Sequence, residues 1–194
     1  MEMLAQKWFE CFMETVQCHE AASELRDAAI KGSLRLWTKA LTDVVVSTFD
    51  SFGWKGAAKG HRSDFLPVAR QEYLSLDAVA FETDGKRIWR FPVAVFELEN
   101  SRSDDVVAYS LWKVLCTRAP LKVVFCYRKD AEEGSSLVRT LAKQVVRGMS
   151  IPERQALSGE TMIVVGSRNE ATTFPYGFFK DWNLDVNTAR FCRA

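Results

Sequence analysis

Apolar residues recur at three- and four-residue spacing from the start of the chain. Leu4, Trp8, Cys11, Phe12, Thr15 and Val16, then Ala22, Leu25 and Ala29, predict a helix over residues 3 to 30. Gly32-Ser33 breaks it, and Ser33 stands where an N-cap would open a second helix over about 34 to 52. Leu34, Trp37, Leu41, Val44, Val45, Thr48 and Phe52 form the apolar stripe of that helix. Gly53 to Pro67 has no period and is rich in glycine and basic residues, which predicts a loop. The pattern then turns strand-like in Glu72–Phe81 and again in Phe91–Glu99. Asp84-Gly85 between these runs signals a tight hairpin turn, so the two strands are expected to be antiparallel neighbours.

Asp104 is placed to cap a helix running to about Thr117, with Val107, Leu111, Val114 and Leu115 inside and Pro120 marking the stop. Leu121–Tyr127 is a short β-branched and aromatic run, read as a central strand, and strand–helix–strand at this spacing predicts a parallel pair. Residues 132 to 148 predict an amphipathic helix with Leu137, Leu141, Val145 and Val146 inside and Arg139, Lys143 and Arg147 on a solvated basic face. Thr161–Gly166 is the next strand, and the aromatic tail from Phe174 to Phe191 reads as an irregular edge element with a final strand. These elements predict an α/β fold: one domain over 1–194, with N-terminal helices in 1–52 and a mixed central sheet flanked by helices in 68–194.

Composition narrows this only modestly. A chain of 194 residues with 47% apolar and 26% charged residues is that of a globular domain, and a net charge of +1 gives no global basic signal for nucleic acid. Five cysteines without a Cys-x-x-Cys pair read as reduced core residues, and Cys18-His19 lacks the further ligands of a zinc site, since His61 is the only other histidine. No run approaches the length needed to span a bilayer, and Glu2, Lys7, Glu10 and Glu14 interrupt any signal-peptide pattern, so the expectation is a cytoplasmic protein with no membrane partner.

The stretch that needs explaining is Glu97-Leu98-Glu99, two carboxylates at the end of the apolar run Phe91–Phe96. Alternation puts Val93, Val95, Glu97 and Glu99 on one face of the strand, the two acids roughly 7 Å apart. Asp77, in the preceding strand, is a third carboxylate among apolar residues. Three acids on neighbouring strands repel one another unless a positive charge lies between them, and a divalent metal is the simplest candidate. Asp43, near the stripe of the second helix, can approach from the helix side or remain an exposed carboxylate. In the loop, Trp54, Lys55, Lys59, His61 and Arg62 could contact a phosphate backbone and stack on a base, or form an ordinary solvated loop.

An Asp in one strand followed about twenty residues later by Glu-x-Glu at the end of the next resembles the PD-(D/E)XK nuclease superfamily, the restriction-endonuclease-like fold. The resemblance covers roughly residues 34 to 127, with Asp77 matching the first acid and Glu97 the second. Glu99 occupies the place of the usual lysine. Some members carry that lysine on the following helix, where this chain offers Lys113, which alternatively lays its stem on apolar surface with its amine in water. The resemblance implies an Mg²⁺- or Mn²⁺-dependent nuclease acting on DNA in preference to RNA. Asp77 and Glu97 would bind metal, Glu99 would add a ligand or orient water, and Lys113 would neutralise charge on the phosphate. The alternatives are a nuclease-like fold that has lost catalysis and serves as a nucleic-acid-binding or protein-interaction module, and plain pairing of Asp77, Glu97 and Glu99 with Arg87, Arg90 or Arg102 at a sheet edge. Six Trp and thirteen Phe also suggest a homodimer.

Overall fold

The computed structural model describes residues 3–18 and 20–193. Helices α1 (Leu4–Cys18), α2 (Glu20–Lys31) and α3 (Leu34–Asp50) precede the strands β1 (Lys55–Ala58), β2 (Ala78–Phe81) and β3 (Ala94–Leu98). Then come α4 (Asp104–Leu115), β4 (Leu121–Arg128), α5 (Ala131–Leu141), a π-helical turn over Ala142–Val146, α6 (Ile151–Gln155), β5 (Glu160–Ser167), a 3₁₀ segment over Arg168–Thr173, β6 (Phe179–Asp185) and β7 (Arg190–Cys192). The seven strands make one sheet in the order of the chain. Strands β3, β4 and β5 are parallel and every other neighbouring pair is antiparallel. The expected mixed sheet flanked by helices is therefore the observed architecture.

Alternation along the strands divides the core in two. Ala94, Phe96 and Leu98 of β3 and Leu121, Val123 and Phe125 of β4 face α1–α3, where they meet Trp8, Phe12, Leu41 and Phe49. Phe12, Phe96 and Phe125 are fully buried, each contributing about 1.5–3 kcal/mol by area. Trp8 lies on Phe96 with ring centroids 5.0 Å apart. The opposite face, with Val95, Val124, Cys126 and Ile163, packs on Val107, Leu111 and Val114 of α4 and Leu137 and Leu141 of α5. The backbone N–H of Ala5, at the start of α1, donates to Glu160 Oε2 at 2.7 Å, anchoring the helix to β5 where its unpaired amides favour an anion.

Several expectations are corrected. The loop expected over 53–67 contains strand β1, whose four residues are too few and too glycine-rich to show a period, and which pairs with β2 through Lys55↔Phe81 and Ala58↔Ala78. Strands β2 and β3 are antiparallel neighbours, but residues 82–93 join them, not a tight turn. Asp84 does turn the chain, its carboxylate accepting from Lys86 N at 3.1 Å, and Arg90 closes the longer loop on Glu82 O, Asp84 Oδ1 and Lys86 O. Strand β2 begins at Ala78, not near Glu72, because Leu74 and Ser75 take left-handed backbone conformations that redirect the chain. Ser103, not Asp104, holds the N-cap position of α4, and Asp104 pairs instead with Arg128. The tail forms two antiparallel strands. Cys126 is buried, whereas Cys116 and Cys192 are exposed and so are not core residues. Residue 19 and the side chains of Cys18 and Ala22 lie outside the described residues. Among the described residues no helix is long and apolar enough to cross a membrane.

Candidate active site

Glu97 lies in the middle of the sheet, with β2 on one side and β4 on the other. Only 4% of its surface is exposed. Alternation turns its side chain to the α4 face, below Val95. On α4, Lys113 lies at the margin of the buried stripe, and its amine reaches Glu97 Oε2 at 2.7 Å. The same amine donates to Ser75 O at 2.8 Å. The left-handed turn at Leu74-Ser75 presents that carbonyl, so the shortening of β2 and the placement of Lys113 share one cause. Continuing the β2–β3 register one step past Ala78↔Phe96 sets Asp77 opposite Glu97. Asp77 is half-buried and accepts from Leu98 N through Oδ2 at 2.7 Å, which ties the start of β2 to the end of β3.

The electrostatics follow from this placement. Burial pushes the Glu97 carboxyl up to about 7; the hydrogen bond and charge of Lys113 and, more weakly, the backbone N–H of Asp77 pull it down, while the Asp77 charge opposes that pull. One lysine therefore undercompensates two acids in a poorly solvated place. Glu97 Oε1 is buried with no hydrogen-bond partner. A buried carboxylate oxygen ordinarily finds a donor or a cation. An oxygen-seeking divalent ion held partly by water fits the pair Asp77–Glu97, because magnesium needs only one or two carboxylates.

Glu99 behaves differently. Its Oε1 accepts from Ser101 N at 2.7 Å and its Oε2 from Ser110 Oγ at 3.3 Å, while its own N–H donates to Phe125 O. Both oxygens thus brace the turn from β3 into α4. Among the described residues no three His, Cys, Asp or Glu side chains gather closely enough to hold a metal between them. The arrangement is a pair of acids with a lysine, plus a third acid engaged beside it.

Among the described residues, Asp77, Glu97 and Glu99 make no salt bridge with Arg87, Arg90 or Arg102. Arg90 is bound to Asp84, and Arg87 reaches toward Pro67 O. Neither β2 nor β3 is an edge strand. Lys122, a buried lysine of β4, turns its amine to the carbonyls of Ala119 and Ser158, away from the carboxylates.

Beside Asp77 a cleft of about 730 Å³ opens toward α3, lined by Arg35, Lys39, Asp43, Lys59, His61 and Asp77 among others. Asp43 does approach from the helix side, but it is engaged: Lys39 Nζ is 2.9 Å and His61 Nε2 2.7 Å away. Burial raises its pKa, and the hydrogen bonds of Lys39 and His61 outweigh that and leave it below the ordinary value. Of the five loop residues proposed to contact nucleic acid, Lys59 and His61 line the cleft, Arg62 is exposed, and Lys55 is paired with Asp50 at 3.3 Å. Trp54 is a correction: it is 6% exposed and stacks on Phe52 at 4.5 Å, so it has no free face for a base. The sequence reading missed Ser75, Ser110, Arg35 and Lys39. Ser110 and Lys113 lie three residues apart on one side of α4, a polar pair at the margin of an apolar stripe that the helical period could have exposed. The role of the Ser75 carbonyl depends on a backbone conformation that carries no residue signature.

Neither a protein-family model nor a curated protein matches the chain. Among solved structures, the chain is similar to NucC of E. coli MS115-1 in its cAAA-bound form, with a TM-score of 0.50 and 14% identity over all of this chain and 84% of that one. At that identity the likeness concerns the fold. It agrees with the mixed α/β architecture expected from the sequence.

Proposed function

We propose that the protein is a metal-dependent nuclease in which Asp77 and Glu97 hold Mg²⁺ or Mn²⁺ and Lys113 supplies the positive charge that Glu99 cannot. The observation that carries this reading is the buried, unpartnered Oε1 of Glu97, whose other oxygen meets Lys113 and whose neighbour across the strand pair is Asp77. A bound divalent ion supplies polarisation of the scissile phosphate and a lowered pKa for the attacking water. The chain's own residues do the rest. Asp77 and Glu97 are held in mutual register by the Leu98 N–H. Lys113 is oriented by Ser75 O, so its amine stands beside Glu97 and can neutralise charge developing on the phosphate. Glu99, engaged by Ser101 and Ser110, holds the β3–α4 turn and so fixes Glu97 and Lys113 relative to each other. The adjoining cleft holds Arg35, Lys39 and Lys59 together with Asp43, Glu72 and Asp77. Because Lys39 is paired with Asp43, Arg35 and Lys59 are the cations we assign to a polyanionic substrate, DNA in preference to RNA. We place the activity in the cytoplasm, with a homodimer as a further expectation.

The test is cleavage of plasmid and single-stranded DNA with Mg²⁺ or Mn²⁺ by the wild type, Asp77→Ala and Glu97→Ala. Cleavage by the wild type and its loss in both variants is expected; no cleavage, or equal cleavage by all three, would overturn the reading. A second reading, a nuclease-like fold retained only for binding, draws on the engagement of both Glu99 oxygens by serines. Calorimetric titration with Mn²⁺ separates the two, because tight binding dependent on Asp77 and Glu97 counts against an inactive site.

A further inference from the structure

Helix α4 buries Val107, Leu111, Val114 and Leu115, yet its other side carries two large aromatic residues in solvent. Tyr109 is 58% and Trp112 51% exposed. Their rings stack on each other, centroids 6.0 Å apart and planes 29° from parallel. Neither ring completes the core, and about half or more of each residue stays in water, where a single exposed aromatic is ordinary but a stacked pair beside a charged site calls for an occupant.

The position of the pair identifies that occupant. Lys113 Nζ lies 5.9 Å from the Tyr109 ring centroid and 2.7 Å from Glu97 Oε2. The ring is therefore no farther from the carboxylate than those two distances combined, about the reach from a phosphate to the base of the same or the neighbouring nucleotide. Three residues past the C-terminal end of α4, Arg118 lies over the exposed Phe91 ring at 4.7 Å, a second cation set against an exposed aromatic residue. Flat apolar faces interleaved with positive charge are complementary to a strand with π-faced bases and an anionic backbone. A protein partner centred on Tyr109 would instead cover the approach to Lys113.

We propose that Tyr109, backed by Trp112, is a stacking platform for an unpaired nucleobase adjoining the phosphate handled at Glu97. The protein then selects single-stranded or locally opened nucleic acid over intact duplex. This rests on the nuclease reading of the same site and adds substrate class to it. In a duplex the bases are stacked on one another, and only an unpaired or extruded base can offer its face to Tyr109.

The test is equilibrium binding of the full-length chain, in Ca²⁺, to fluorescently labelled single strands read by anisotropy. The ligands are oligothymidylate, a strand of the same length with abasic sites, and an intact hairpin duplex. Oligothymidylate is expected to bind about 5- to 100-fold more tightly than the abasic strand, the range that stacking of one base supplies. Tyr109→Leu and Trp112→Leu should each reduce that preference, and Tyr109→Phe should keep it. Equal affinity for abasic and base-bearing strands would overturn the platform. So would Tyr109→Leu or Trp112→Leu variants that change sedimentation mass but keep the base preference, since the strip would then be an interface between copies. Failure of the nuclease reading is read separately with Mg²⁺ or Mn²⁺. Base-dependent binding without cleavage supports the platform and removes the nuclease, whereas cleavage dependent on Asp77 and Glu97 without base preference removes the platform alone.

Discussion

Lys113 of α4 and Glu97 of β3 are joined by a 2.7 Å contact between Nζ and Oε2, and the lysine is held from its other side by Ser75 O. Two elements adjacent in the chain thus meet around one carboxylate that water reaches poorly.

Breaking that pair from the lysine side leaves the carboxylate uncompensated. Lys113→Met is expected to destabilise the fold by about 1–3 kcal/mol near pH 9, less than a fully buried pair because the lysine retains some solvent contact. The loss should shrink toward pH 5, where Glu97 takes a proton. The double variant Lys113→Met with Glu97→Gln should recover most of it. Urea denaturation at the two pH values measures both, and any DNA cleavage should fall by about 10²-fold in the single variant.

The raised Glu97 carboxyl has a signed consequence for stability. With its native pKa near 7, above the ordinary 4.5, the folded protein holds a proton that the unfolded chain releases. That contribution to stability is complete below the unfolded value and is lost as pH rises through about 7. Glu97→Gln should therefore be more stable than the wild type at pH 8, by at most about 3 kcal/mol, and equal to it near pH 4. Mn²⁺ should reverse the wild-type deficit at pH 8, raising stability by about 2.7 kcal/mol at a hundredfold excess over its Kd. It should leave Glu97→Gln unmoved. Denaturation curves across pH with and without the metal check both signs.

Asp77 has two separable roles. Asp77→Asn preserves an oxygen acceptor for Leu98 N, whereas Asp77→Ala removes it and should cost about 1–3 kcal/mol. Both remove the charge that pushes Glu97 upward, so the Glu97 midpoint should fall in both, as read by carboxyl-carbon NMR titration. Both should also weaken Mn²⁺ binding.

Gly159 tests the fold away from the site. It adopts φ +73, and a β-carbon there would sit 2.3 Å from Pro120 O, where the chain leading into β5 crosses the start of β4. Gly159→Ala should destabilise by about 2 kcal/mol or more, since backbone cannot yield as a flexible side chain can. The thermal midpoint reports it.

The sequence by itself determined α3, α4, α5 and the central strands, though it read α1 and α2 as one helix over residues 3 to 30 and gave no sign of α6. The stripes of α3, α4 and α5 and the apolar runs of β4 and β5 are local periods, fixed by how side chains project from a helix or strand. It also singled out Asp77, Glu97, Glu99 and Lys113, because charge inside apolar runs is visible without coordinates. Tertiary structure decided what each of them does. The register that sets Asp77 opposite Glu97 depends on the 82–93 loop closed by Arg90, and one residue of slippage would have turned Asp77 to the other face. The orientation of Lys113 depends on the Ser75 carbonyl, exposed by a left-handed turn that no residue type announced. Glu97 and Glu99 share a strand face and look equivalent in the sequence. Only the fold leaves an oxygen of one without a partner and gives both oxygens of the other to serines, because hydrogen bonding is settled by neighbours distant in the chain or set by its turns.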